Sequence, residues 1–244
     1  MFCRRRFLAA SGIALLAGQQ AGAQDAFTAA RERMLREIES DVRATAGSTQ
    51  RERLAANVIA ALRKVPRHRF VPPELAGAAY ENRPLPIGEG QTISQPFIVA
   101  LMTDLAQPKK TDRVLEVGTG SGYQAAVLAE CVDRVYTIEI VPALGRRAAA
   151  LLRELGYANI ETRIGDGYKG WPEAAPFDAI VVTAAPDHVP QPLIDQLRPG
   201  GRLVIPVGGQ FAGQDLLVVE KSRDGRTLKR SALPVRFVPL TRER

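Results

Sequence analysis

From Asp112 onward, short apolar runs alternate with helix-length stretches, and this alternation leaves few folds open. DRVLEV (112–117), RVYTIEI (134–140), NIETRI (159–164), DAIVVTA (178–184), GRLVIPV (201–207) and DLLVVEK (215–221) read as strands bounded by turn formers. Between them GYQAAVLAEC (122–131), PALGRRAAALLREL (142–155) and PLIDQL (192–197) read as helices. Apolar runs interleaved with helices call for a mostly parallel sheet covered on both faces. The last two runs, DLLVVEK and RSALPVRFVPL, are separated only by a short polar connection, so an antiparallel hairpin is expected at one edge. The expected fold is therefore α/β: a Rossmann-like, doubly wound, mostly parallel seven-stranded sheet with an antiparallel edge hairpin, plus N-terminal helices.

Upstream, apolar Phe27, Met34, Leu35, Ile38 and Val42 recur at helical spacing between Asp25 and Ala46. A second helix is expected over Arg51–Val65, with Leu54, Val58, Ile59 and Leu62 on one face and Pro66 ending it. The Pro-, Gly- and Arg-rich stretch from Pro66 to Pro96 reads as a loop, and loops of that length in compact domains tend to be functional. Residues 1–23 carry a basic cluster, a short apolar run and Ala21-Gly22-Ala23, the pattern of an export signal. Arg4-Arg5-Arg6-Phe7-Leu8 also fits a twin-arginine signal. The expected division is a signal over 1–23 and a single domain over 24–244. Within that domain, 25–107 hold the N-terminal helices and a substrate loop, and 108–244 the cofactor-binding sheet and C-terminal hairpin. A periplasmic location follows, with no stable membrane insertion after signal removal; a misassigned start ahead of a cytoplasmic protein is the alternative.

Of the net charge of +7, three charges are Arg4, Arg5 and Arg6, and arginine outnumbers lysine 27 to 6. That skew in an alanine-rich chain suggests coding bias rather than a phosphate-binding face, so no nucleic-acid partner is expected. With Cys3 removed with the signal, Cys131 stands alone, and no internal disulfide or metal site is expected.

The first strand runs into Glu116-Val117-Gly118-Thr119-Gly120-Ser121-Gly122-Tyr123, and a helix begins there. Glycines let the chain turn sharply and let a ligand approach the backbone. The dinucleotide fingerprint needs glycine where this chain has Tyr123. Glu116 stands where its charge repels a pyrophosphate but attracts an ammonium or sulfonium group. Glu139 ends the next strand, at the spacing where a carboxylate accepts bonds from ribose hydroxyls. Asp166 and Gly167 close the third strand at the same edge of the sheet. Three acids around one glycine loop, with no Walker lysine, favour S-adenosyl-L-methionine over NAD or ATP.

VLEVGTGSGYQAAVLA, GDGYKGWPEAAPFDAIVVTAAP, GGRLVIPVG and PVRFVPL, with VPRHRFVPP and AYENRPLPIGEGQTISQPFIVALMTDL upstream, resemble the protein-L-isoaspartate O-methyltransferases. The likeness covers roughly residues 50 to 240 in order, and its RPLPIG…QTISQP block is specific to that family. The resemblance implies methyl transfer from S-adenosyl-L-methionine to the free α-carboxylate of L-isoaspartyl residues in damaged proteins and peptides, the start of repair through a succinimide. It implies an active-site hydroxyl on Ser94, support from Thr92, and a substrate-backbone contact from PVRFVPL.

The residues themselves are compatible with this. Ser94 stands at or just before the start of a helix whose early turn holds Pro96. Backbone N–H groups and the helix dipole there form an anion site. A carboxylate is already ionised at neutral pH, so no general base is needed. His68, in V-P-R-H-R-F-V-P, is either a cleft residue or a structural one; His188 reads as structural or incidental. The export signal departs from the family's cytoplasmic habit. Two other readings follow: an exported isoaspartyl-peptide-binding protein with little turnover, and a methyltransferase of similar fold acting on another carboxylate or on RNA. A monomer is the simpler expectation.

Overall fold

The computed structural model describes residues 10–209 and 213–242, with side chains from residue 26. Residues 1–9 of the export-signal stretch therefore lie outside the described residues, and for 10–23 only the helical backbone is described. Helix α1 (Ala10–Ala44) buries Met34, Leu35, Ile38 and Val42, the stripe its spacing predicts. After one turn, α2 (Ala46–Thr49), comes α3 (Ala56–Lys64). This helix starts later than its apolar pattern suggests. Arg51 is drawn out to Asp104 at 2.8 Å, and the Ala55 N–H donates to the same carboxylate at 2.7 Å. Asp104 thus takes the place of an N-cap side chain that the local sequence lacks.

The Pro66–Pro96 stretch is not a structureless loop. It makes two 3₁₀ turns, Arg67–Phe70 and Pro73–Ala78, and then a hairpin of β1 (Leu85–Gly88) and β2 (Gln91–Ile93). Leu85 and Ile87 point inward while Pro86 and Gly88 face out. The turn runs through left-handed backbone at Gly88, Glu89 and Gly90, which makes Gly-Glu-Gly a hairpin signal.

Helix α4 (Pro96–Ala106) follows, with ten of its eleven residues buried. A helix apolar all round belongs to the interior. It makes a rigid base for the segment that precedes it; truncating Leu101 or Leu105 to alanine costs about 2–5 kcal/mol at such sites.

The main sheet contains β3 (Arg113–Val117), β4 (Arg134–Glu139), β5 (Ile160–Ile164), β6 (Phe177–Val182), β7 (Leu197–Val207), β8 (Gln214–Lys221) and β9 (Thr227–Val235), in the order β5-β4-β3-β6-β7-β8-β9. The first five strands are parallel, and β8 and β9 antiparallel, giving the expected edge hairpin. Val114, Val135 and Ala179 face one core, shared with α4 and α5 (Tyr123–Ala129). Leu115, Tyr136 and Ile180 face the other, shared with α7 (Gln191–Asp195). Successive strand residues point to opposite faces, so both faces must be covered. Helix α6 (Pro142–Glu154) joins β4 to β5. The chain order reverses between β3 and β6, and the crevice at the carboxyl ends of these strands is where open α/β sheets bind ligands. Among the described residues no helix is long and apolar enough to cross a membrane.

Candidate active site

At the end of β3 the Gly118 and Thr119 amides both donate to the Ile138 carbonyl, at 2.8 and 3.1 Å, which closes the glycine loop against β4. Gly118 has φ of +99°, and a Cβ there would collide with Thr183 Oγ1. Only glycine satisfies both the backbone and the space. Gly122 has φ of +89° and packs on Leu152 of α6. It packs behind the loop and is not among the residues that wall the cavity the loop encloses.

That cavity is walled by Gly118, Thr119 and Gly120 of the loop, Glu116 and Glu139 of the strands, and Gly167. Both Glu139 oxygens are held by the protein. Oε2 accepts from the Gly120 N–H at 2.7 Å and Oε1 from the Val141 N–H at 2.9 Å. Each oxygen retains a lone pair for a further donor, so the carboxylate is positioned without being exhausted.

Glu116 is fully buried. Its Oε2 accepts from Thr137 Oγ1 at 2.5 Å, and Thr137 Oγ1 lies 2.6 Å from Thr119 Oγ1. Its Oε1 has no partner among the described residues. Burial, reinforced by the nearby Glu139 charge, pushes its pKa up to about 8. The sequence suggests a standing negative charge here. In the free protein, burial instead makes Glu116 a neutral acid at pH 7. A buried acid with an unsatisfied oxygen, beside a loop where the backbone is bare, fits the cationic end of S-adenosyl-L-methionine.

Asp166 caps the 3₁₀ turn Gly167–Lys169, accepting from the Tyr168 N–H at 2.9 Å, and it does not line the cavity. Gly167 does, and a Cβ there would strike Val117. His68 lies in neither cavity. Its ring stacks on Phe27 with centroids 4.1 Å apart, and Nδ1 is 2.9 Å from Tyr80 Oη. Burial, with Arg31 and Arg69 nearby, lowers its pKa. These contacts are those of its structural reading.

A second cavity, of about 600 Å³, adjoins the first. Thr92, Ser94, Thr183 and Val238 line both. Ser94 precedes α4 by two residues and does not cap it; the N-cap position is Gln95, which makes no side-chain cap. The Phe97 N–H is satisfied by Asn82 Oδ1 at 3.0 Å, so Asn82 takes up one of the amides that the sequence leaves free at this helix start. The Ser94 carbonyl accepts from Arg67 Nη2 at 2.7 Å. The far wall is the segment after β9. Gln214, itself buried, clamps Phe237 by both arms, at 2.6 and 3.1 Å. Ala185 holds Val238 and Leu240 at 2.8 Å each.

Arg67, Asn82 and Thr183 stand inside the blocks that carry the family resemblance, but no motif there marks them as site residues, and Gln214 stands outside them. Thr183 has one readable signal, a polar residue at the carboxyl end of an apolar strand. Its hydroxyl donates to the Gly118 carbonyl at 2.6 Å.

The family model for protein-L-isoaspartate(D-aspartate) O-methyltransferase matches residues 45–244. The chain is 57% identical over 236 residues to protein-L-isoaspartate O-methyltransferase 2 of Syntrophobacter fumaroxidans, covering 96% of each. It is 59% identical over 214 residues to protein-L-isoaspartate O-methyltransferase 1 of Nitrosospira multiformis, covering 88% of each. Among solved structures it is similar to a protein-L-isoaspartate O-methyltransferase with a TM-score of 0.73 and 28% identity, over 86% of this chain and 65% of that one. It shares its fold with a Plasmodium falciparum protein solved with S-adenosyl-L-homocysteine, at a TM-score of 0.68 and 24% identity, over 85% of this chain and 98% of that one.

Proposed function

The chain belongs to the protein-L-isoaspartate(D-aspartate) O-methyltransferase family, and from that premise we infer how its two cavities share one reaction. It is an S-adenosyl-L-methionine-dependent carboxyl methyltransferase acting on isoaspartyl residues in protein repair. The first cavity takes the cofactor and the second the damaged peptide. The observation that carries this assignment is the set of four residues, Thr92, Ser94, Thr183 and Val238, common to both walls. A group bound in one is in reach of a group bound in the other only across that seam.

When bound, S-adenosyl-L-methionine supplies a methyl group on a positively charged sulfur. Glu116 and Glu139 hold the cationic and ribose ends of the cofactor, with Gly118 and Gly120 giving close backbone approach. The isoaspartyl α-carboxylate is ionised at neutral pH and needs no base. Ser94 and Thr92 donate their hydroxyls to it and fix its direction. Alignment of this kind contributes roughly 7–11 kcal/mol in favourable cases. The methyl ester is then open to attack by the following backbone nitrogen, which expels methanol and closes a succinimide. Water reopens that ring in part to normal aspartate.

Calorimetry tests the pairing. S-adenosyl-L-homocysteine should bind the purified protein, and an isoaspartyl peptide should then bind without displacing it. Mutual exclusion of the two would contradict the two-cavity assignment.

Residues 1–23 support export to the periplasm, through Arg4, Arg5, Arg6 and the apolar run that follows. A reporter fused after Gln24 should reach the periplasm and stay in the cytoplasm when Arg4 and Arg5 are replaced by lysine. Retention of the unaltered fusion in the cytoplasm would remove the export reading.

A further inference from the structure

Among the described residues, two ionisable side chains line the peptide cavity, Asp41 and Arg236. They are not equivalent. Asp41 Oδ2 accepts from Asn82 Nδ2 at 2.7 Å, and Asn82 in turn holds the Phe97 amide, so this carboxylate belongs to the scaffold of the Ser94 turn. Arg236 is exposed, and its guanidinium has neither an ion pair nor a hydrogen bond among the described residues. Its backbone is far from free. The next residue, Phe237, is clamped by Gln214, and Val238 is tied to Ala185. The root of the side chain is thus fixed at the rim of the groove that Arg236 lines, and its guanidinium has no protein partner among the described residues. The nearby walls, Leu233, Val235, Phe237 and Ile98, are apolar and offer that charge nothing.

We propose that Arg236 selects among damaged peptides by pairing with a second carboxylate, one carried by a residue flanking the isoaspartyl site. This rests on the reading of the cavity as the peptide site. A guanidinium presents a planar fork matched to a carboxylate, and an exposed pair of this kind acts on capture more than on the chemical step. The reacting carboxylate is assigned to Ser94 and Thr92; Arg236 reads its neighbourhood.

Three isoaspartyl peptides that differ only in a flanking Glu, Gln or Lys provide the test. For the unaltered protein, kcat/KM should fall in that order, by about fivefold from Glu to Lys, with the change in KM. Salt at 0.5 M should flatten the series. Arg236→Gln should flatten it too, and Arg236→Glu should invert it. An exposed position makes misfolding of these variants a small risk. Equal rates on the three peptides, or a Glu preference that survives in Arg236→Glu, overturns the proposal and leaves the repair function standing. Methylation of none of the three by the unaltered protein would instead strike at the function itself.

Discussion

Arg67 Nη2 donates to the Ser94 carbonyl at 2.7 Å while the same guanidinium lies 4.7 Å over the Tyr123 ring, the first residue of the cofactor-loop helix. Nε of Arg67 also donates to the Ala79 carbonyl at 2.8 Å. One fully buried cation therefore touches the peptide side and the cofactor side of the site. Burial lowers its pKa to about 10, which leaves it charged at neutral pH. Lysine keeps the charge but has no planar fork to serve two carbonyls and a ring. Arg67→Lys should lower kcat by about tenfold or more, because small misplacements of aligned groups are costly. Affinity for S-adenosyl-L-homocysteine should stay within about twofold, since Glu116, Glu139 and the glycines are untouched. Steady-state kinetics and calorimetry on the same preparation check both.

Cofactor binding should release a proton. Glu116 is protonated in the free protein below about pH 8 and meets a cation when the site fills. The complex favours its ionised form, so affinity should rise with pH and level off above about 8. Below that plateau each pH unit is worth up to 1.4 kcal/mol. Calorimetry at pH 7 in two buffers of different ionisation enthalpy should report release of close to one proton, and Glu116→Gln should abolish it. Absence of proton release in the unaltered protein would contradict this role.

The same burial has an opposite consequence for the free fold. Glu116 binds its proton more tightly folded than unfolded, so between about pH 4.5 and 8 its contribution to stability falls as pH rises. Thermal unfolding of Glu116→Gln should lose that part of the pH dependence.

Ser94→Ala should lower turnover at least tenfold with little change in stability. The Ser94 hydroxyl has no hydrogen-bond partner among the described residues and caps nothing, so its removal leaves no group unsatisfied. Cofactor affinity should be nearly unchanged. A large loss of it would contradict the assignment to the carboxylate.

Gly118→Ala should weaken cofactor binding by more than tenfold and destabilise the protein by about 1–3 kcal/mol. Its φ of +99° is unfavourable for a side chain, and the new methyl would displace the Thr183 hydroxyl from the Val117 and Gly118 carbonyls. Tm and S-adenosyl-L-homocysteine titration measure the two effects.

The sheet was legible because the strands are apolar on both faces, so Val114 and Leu115 announce themselves without regard to distant partners. The β1–β2 hairpin was not, because four- and three-residue strands hold too little alternation to stand out from turn composition. The loop glycines stood out through local pattern and Ser94 through its place at a helix start, whereas Thr92 and the role of the Ser94 hydroxyl were implied only by the family resemblance. Gly122 and Asp166 share that pattern, yet one packs against α6 and the other accepts from the Tyr168 N–H, and neither walls the first cavity. His68 carries a chemically suggestive side chain, but Phe27, from an element far off in sequence, covers it. Arg67, Thr183 and Arg236 gain their meaning only from tertiary neighbours, and no spacing along the chain encodes those.

Methyl transfer from labelled S-adenosyl-L-methionine to an isoaspartyl peptide, run beside the same peptide with normal aspartate, tests the whole account most directly. Label on the first and not on the second is the expected result. Label on neither, or equally on both, would contradict it.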